Sequence, residues 1–544
     1  MGHPEARKLK TVISFLIIIG AFAIWWGTLY YLKKREKLGK WGELYLFFLL
    51  LKTGRGRRLL DRLASRRRFW KGFGYLSIIL SFFSMALMFM LLLLSAYFSL
   101  TARVKPTKPS MMLVLPGINP IIPFWYGIVA LAIAIIIHEF SHGIQARVDR
   151  IKIKSLGLVL AIIPVGAFVE PDEEEVKVMP RRARMRMYAS GPGMNIVVAM
   201  VLGIIFCWGL LGSVQADRGV IVYAVSEDSP LKLLYPDVDP VAILSVNGSP
   251  VDPEEDFYQF SPAPPGATIE MEVLNEKGEK VVLRGVPVGV VVTGLQKGYP
   301  AEKAGIEEGM IILSIDGKII SSEEAFTDFM VSTHPGQRIN VTVLKPEMGE
   351  GEVRYVLSNF TGIELAHKYD VYPLEEFKGV GFLGVSTAYL GVVVEGAESF
   401  IERLSHPVKS SRDLSELRVN LLTVMFTLPI NIKIMPFHSP LTDIYHVNGV
   451  LGRLPPGAFW MLTNAVYYIF WINLLLGTFN TLPLLIMDGG VLFKDTVEGL
   501  AERLIKGEKA QERRKRFSQG IYTSVSYITV FLLLAIIFGP YLVR

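Results

Sequence analysis

Long apolar runs separated by basic connections occupy both ends of the chain, while its middle is more polar and alternates finely. Runs near the roughly 20 residues that a helix needs to cross a bilayer fall at about 11–32, 74–100, 121–145, 187–213, 457–483 and 519–541. They predict a polytopic α-helical membrane protein of about six transmembrane helices. The first run follows Arg7, Lys8 and Lys10 as a signal core would, but it is longer than such a core and has no A-x-A site, so it reads as a retained span. A shorter run, ELYLFFLLLK at 43–52, cannot span and fits the interface or a re-entrant segment.

The middle, 214–456, contains an internal repeat. GVIVYAVSEDSPLK (219–232), AILSVNGSPV (242–251) and GATIEMEVLNEKGEKVVL (266–283) recur in order as GVVVTGLQKGYPAEKAG (289–305), IILSIDGKII (311–320) and GQRINVTVLKPEMGEGEVRYVL (336–357). Alternating β-branched residues broken by N-G and D-G predict short strands and tight hairpins. LRVNLLTVMF at 417–426 is apolar enough to lie along a membrane face. His438 and His446 are not at a helical ligand spacing and read as surface or core histidines.

Composition sharpens the class. Hydrophobic residues make up 51% of the 544, and the mean hydropathy is +0.39, as in an integral membrane protein. The formal charge of +7 would suit a nucleic-acid partner, but the cations cluster beside apolar runs, which is the signature of membrane orientation. No nucleic-acid partner is expected; the partner is the lipid bilayer. KKREKLGK (33–40), GRGRRLLDRLASRRRFWK (54–71), RVDRIKIK (147–154), PRRARMRM (180–187) and ERRKRF (512–517) all fall on one side if six spans alternate. That places them in the cytoplasm, with 214–456 outside the cell membrane. The single Cys207 has no partner for an internal disulfide.

The chemistry lies in IVALAIAIIIHEFSHGIQAR, residues 128–147. An ionisable group in a membrane span costs a few kcal/mol, so such groups tend to be functional. On a helix His138 and His142 share a face and can direct two nitrogens at one metal, with Glu139 offset to reach a water there. A catalytic zinc usually takes three protein ligands, and no third histidine follows in GIQARVDR. The conspicuous acid at the end of another late apolar span is Asp488 in FNTLPLLIMDGG, 479–490, followed by two glycines that would let the backbone come close to the metal.

HEFSH with NTLPLLIMDGG resembles the site-2 protease family of intramembrane zinc metalloproteases, whose late motif has the form N-x-x-P-x-x-x-x-D-G. ASGPGMNIVVAM (189–200) is similar to the family's G-P-x-x-N element, and LGLVLAIIPVGAFVEP (156–171) to its membrane-dipping β-hairpin. The repeat resembles two tandem PDZ domains. By this resemblance His138, His142 and Asp488 would bind one catalytic Zn2+, Glu139 would be general base and acid, and Asn480 and Asn195 would line the site as polar donors. Gly191, Pro192 and Gly193 would permit close packing and local unwinding. Substrates would be transmembrane proteins, held unwound along the hairpin at Val165 and Gly166. Peptide termini would add to the PDZ-like edge from Gly289 through Val290 and Val291. The active site would face the cytoplasmic side.

The implied organisation is 1–120, two spans with a basic loop; 121–213, the first half of the protease core; 215–287 and 288–361, two extracytoplasmic PDZ-like α+β domains; 362–456, a further extracytoplasmic region; and 457–544, the second half of the core with a last span. Two rival functions are a non-catalytic membrane-anchored PDZ scaffold and another class of HExxH membrane metalloprotease, which would take a glutamate as third ligand.

Overall fold

The computed structural model describes residues 20, 23–35, 39, 42–45, 48–53, 56–101, 111, 116–119, 121–161, 163–251, 263–349, 352–430, 434–507 and 510–542. The chain divides into two compact units, Met1–Ile205 with Ala465–Arg544, and Phe206–Asn464.

The first unit is built on helices α1 (Arg57–Ala64), α2 (Arg67–Thr101), α3 (Phe124–Val148), α4 (Arg181–Ile204), the part of α5 (Pro456–Asn480) from Ala465 onward, α6 (Asp488–Leu504) and α7 (Ala510–Leu542). Among the described residues α2, α3, α4 with its continuation to Ser213, α5 and α7 are long and apolar enough to cross a membrane. Half of the expected span at 11–32 lies outside the described residues.

The faces of α2 show the solvent for which it is made. Gly74, Ser77, Ser81 and Ser84 point inward, while Ile79 and Phe83 are 65% and 70% exposed. In water that polarity would be reversed; in lipid, small and polar residues let helices approach and large apolar ones face the acyl chains. α4 packs against α2, α3 and α6 and stands at the centre of the unit. Pro192 lies inside α4 without breaking it, so the local unwinding expected around Gly191–Gly193 does not occur.

The expected hairpin is present as β3 (Ile153–Ala161) and β4 (Ile163–Pro171), and it belongs to a larger sheet. The apolar run at 43–52 forms neither a span nor a helix. It is a second hairpin, β1 (Gly42–Tyr45) and β2 (Phe48–Thr53), and it pairs with β3 in the antiparallel order β1-β2-β3-β4. One edge of β3 is thereby occupied, from Leu49 opposite Leu160 to Thr53 opposite Leu156. β4 is the outer strand on the other side. Its register with β3 slips between Gly166–Val159 and Pro164–Leu160, which leaves Val165 at a bulge.

In the second unit the repeat becomes two sheets of the same order. The first contains β5 (Val220–Val225), β6 (Pro240–Val246), β7 (Thr268–Asn275) and β8 (Lys280–Pro287); the second contains β9 (Val290–Leu295), β10 (Ile311–Ile315), β11 (Arg338–Gly349) and β12 (Glu352–Glu364). The N-G and D-G signals are tight turns with both residues left-handed, Asn247 with Gly248 and Asp316 with Gly317. Each sheet gains a further strand from beyond residue 361: β13 (Val385–Tyr389) pairs with β9, and β14 (Val392–Gly396) pairs with β5. The orders are β8-β7-β6-β5-β14 and β12-β11-β10-β9-β13.

This corrects one expectation. The strand after Gly289 is not a free edge, because Val290 and Val291 pair with Ile312 and Ile311 on one side and with Tyr389 and Ala388 on the other. Both valines are wholly buried. A separate arrangement links β14 to the helix after it. Arg403 reaches both carboxylate oxygens of Glu395, at 2.8 and 2.5 Å, and Tyr223 donates to the same carboxylate. His446 pairs with Asp217 at 2.7 Å, a surface interaction as expected for that histidine.

Candidate metal centre

α3 supplies the first two donors because its 3.6-residue period stacks His138 under His142. The third comes from α6, whose first residue is Asp488. The three donor atoms form a compact triangle. His138 Nε2 lies 3.0 Å from Asp488 Oδ2, His142 Nε2 lies 3.3 Å from the same oxygen, and the two Nε2 atoms are 3.1 Å apart. A tetrahedral ion with bonds of ~2.0–2.1 Å needs donor separations of about 3.3 Å, so the triangle has the right size for one small divalent cation. This is the one such group of histidine, cysteine and acid side chains among the described residues.

Hydrogen bonds behind the donors set which lone pairs face the centre. The carbonyl of Met187, one helix away, accepts from His142 Nδ1 at 2.7 Å. A carbonyl can only accept, so Nδ1 carries the proton and Nε2 is left with its lone pair inward. Asn195 is wholly buried behind His138, with its amide nitrogen 3.3 Å from His138 Nδ1 and its amide oxygen without a protein partner. A half-turn of the amide pairs the partnerless oxygen with a protonated Nδ1, the state in which His138 Nε2 can bind metal.

A cavity of about 340 Å³ opens on the donors, lined by His138, Glu139, His142, Tyr188, Asn480 and Asp488, with Val169 and Pro171 from β4. Glu139 accepts from the Val169 amide at 3.1 Å, which fixes the carboxylate beside the donor triangle and joins it to the outer strand of the sheet. Asn480 is among the residues that line the cavity. Asn195 is not among the residues that line it and meets the site at His138.

Two glycine sites have roles other than those expected. A methyl on Gly191 would sit 2.3 Å from His142 Nε2 and 2.7 Å from His138 Nε2, inside the space of the donor triangle. Gly191 is therefore part of the wall of the centre as well as a packing residue. The glycines after Asp488 do not approach the centre: Cβ atoms there would meet the Thr481 carbonyl at 2.0 Å and the Leu484 carbonyl at 1.9 Å. They allow the first turn of α6 to seat on the preceding loop, and so fix where Asp488 emerges.

The sequence reading missed what holds α6 in place. Asp488, Asp495 and Glu502 are successive members of a seven-residue series, two helical turns apart, and so lie on one face. Arg184 of α4 forms a forked pair with Asp495, at 2.9 Å from Nε and 2.6 Å from Nη2, and Asp495 is 2% exposed. Arg181 pairs with Glu502 at 2.5 Å nearer the surface. A buried pair broken on one side costs about 3–5 kcal/mol, whereas an exposed pair contributes ~0–1 kcal/mol. The inner pair therefore dominates.

Gly191→Ala should abolish metal retention while leaving α4 helical, read by elemental analysis and circular dichroism on the purified protein. Arg184→Ala is expected to weaken metal binding by about 10–100-fold, the range for groups that orient ligands. Arg181→Ala should do much less. Competition against a chelator measures both.

The sequence model of Peptidase family M50 matches residues 126–522, which include every donor and Glu139. The chain is 29% identical over 269 residues to an uncharacterised protein of Methanocaldococcus jannaschii, covering 48% of this chain and 68% of that one. It is 24% identical over 465 residues to protease RseP of Yersinia pestis, covering 72% and 93%, and 24% identical over 459 residues to a putative zinc metalloprotease of Neisseria meningitidis, covering 74% and 97%. The match takes in most of the chain, with every residue of the donor triangle, and the chain belongs to peptidase family M50, the site-2 proteases.

Proposed function

We propose that the chain is an intramembrane zinc endopeptidase that cleaves transmembrane segments of other proteins. The observation that carries this reading is the meeting of His138, His142 and Asp488 with Glu139 in one cavity between apolar helices. A zinc ion held by the two imidazoles and the carboxylate would supply a Lewis acid for the scissile carbonyl and an acidified water. Glu139 takes the proton from the attacking water and returns it to the departing amide nitrogen. Asn480 hydrogen-bonds the substrate or the developing oxyanion, and Asn195 orients His138.

A helical substrate hides its carbonyls in its own hydrogen bonds, so it must be unwound before attack. β4 is suited to hold the unwound chain as an added strand. Its Val169 amide points away from β3, toward Glu139. By the two-residue period of a strand, the Ala167 amide points the same way. A substrate strand laid there runs past the general base. Val165 and Gly166 lie farther along the same strand, at the bulge.

The basic connections support an orientation with α1 and the ends of α3 and α6 in the cytoplasm and the repeats outside, with six spans in all. The repeats read as PDZ-like domains. For peptide docking the candidate place is now the groove of about 200 Å³ between the helix Glu323–Val331 and β13, lined by Phe326, Met330, Phe382, Leu383 and Val385.

With a purified transmembrane substrate, Glu139→Gln should lower cleavage by about 10²–10⁴-fold and keep full metal content; normal cleavage by this variant would exclude the mechanism. Ala167→Pro removes one outward amide while leaving the β3 pairing in place. It should slow cleavage of helical substrates with metal content unchanged, and an unchanged rate would remove β4 from substrate binding.

A further inference from the structure

The eight residues of α1, RRLLDRLA, present four stripes, each made by residues four apart. Leu60 and Ala64 are buried. Beside them Arg57 donates to the Lys154 carbonyl at 2.6 Å and Asp61 pairs with Arg147 at 2.5 Å, so two stripes are committed to the protein. The other two face outward. Leu59 and Leu63 are 46% and 38% exposed, and Arg58 and Arg62 are exposed beside them.

The outward pattern continues into α2. Arg66, Arg67, Arg68 and Lys71 are exposed, as is Phe69, and the Trp70 indole donates to the Leu63 carbonyl at 2.9 Å, tying the two helices together. Among the described residues, none of Arg58, Arg62, Arg66, Arg67, Arg68 and Lys71 forms an ion pair with an acid; the one acid of the segment, Asp61, is taken by Arg147. Six exposed cations thus run from α1 through the second turn of the 35-residue apolar helix that follows it.

We propose that this cluster is a binding site for the headgroups of anionic phospholipids. Continuity with α2 places α1 at the boundary where the bilayer begins. Leu59, Leu63 and Phe69 then enter the acyl region while the cations meet phosphate, the arrangement of an amphipathic helix lying in an interface. Unpaired cations on a solvated loop would need no apolar stripe between them. An acidic protein or a nucleic acid would leave Leu59, Leu63 and Phe69 in water. The opposite face of α1 rests on α3, where a Cβ at Gly143 would lie 3.1 Å from Leu60, so the lipid contact is one helix diameter from the segment that carries His142.

The test is native mass spectrometry of the purified full-length chain in detergent, offered phosphatidylglycerol and phosphatidylcholine in equal amounts. Retention of phosphatidylglycerol should exceed that of phosphatidylcholine by about tenfold and fall as salt is raised from about 0.05 to 0.5 M, where screening shortens. The preference should vanish when Arg58, Arg62, Arg66, Arg67, Arg68 and Lys71 are all changed to Gln, and persist when the five arginines become Lys. Equal retention of the two lipids, or a preference indifferent to salt, overturns the proposal even if the glutamine variant fails to accumulate. An oligonucleotide that displaces phosphatidylglycerol at equal phosphate concentration overturns the assigned occupant.

Discussion

The structure depends on bringing three polar donors together where none could stay alone. A lone imidazole or carboxylate between apolar helices forfeits its hydration, at a cost of a few kcal/mol or more. Here His138, His142 and Asp488 lie within 3.0–3.3 Å of one another, and each is the partner that the others need. The surrounding helices serve that meeting. α4 gives the Met187 carbonyl to His142 and the Asn195 amide to His138, and with Gly191 it leaves the space between them open. Its Arg184 holds α6 by Asp495, two turns below Asp488. Removing any of these changes the donor triangle without touching a donor.

A second constraint is the unpaired backbone of the sheet beside the centre. In an apolar setting an open strand edge is costly, and β1 and β2 cover one edge of β3, leaving β4 outermost on the side where Glu139 binds the Val169 amide. Glu139 and the outer strand are thus fixed to each other. In the second unit the edges beside β5 and β9 are filled by β14 and β13 from one stretch of chain, Val385–Gly396. One segment therefore completes both repeats.

The sequence made the local features legible and hid the long-range ones. The four-residue spacing of His138 and His142 is a property of a single helix, and Asp488 stood out because it is an acid beside an apolar run. The repeat was visible because its turns require the same N-G and D-G chemistry in both copies. In contrast, the partner of β3 begins at Phe48, about a hundred residues away, and an apolar run of ten residues looks the same whether it pairs in a sheet or lies on a membrane. The strand after Gly289 read as an edge because nothing in its own residues announces β13, which joins it from nearly a hundred residues later. The seven-residue spacing of Asp488, Asp495 and Glu502 was available, but without the partners on α4 it is an ordinary feature of a helix.

The central claim is that one metal ion is held jointly by α3 and α6. X-ray absorption at the zinc edge of the purified full-length protein tests it most directly. The account predicts a first shell of two imidazole nitrogens with oxygen donors, and loss of the imidazole signature together with the metal in His142→Ala. A zinc spectrum unchanged by His142→Ala, or a shell without imidazole, would contradict it.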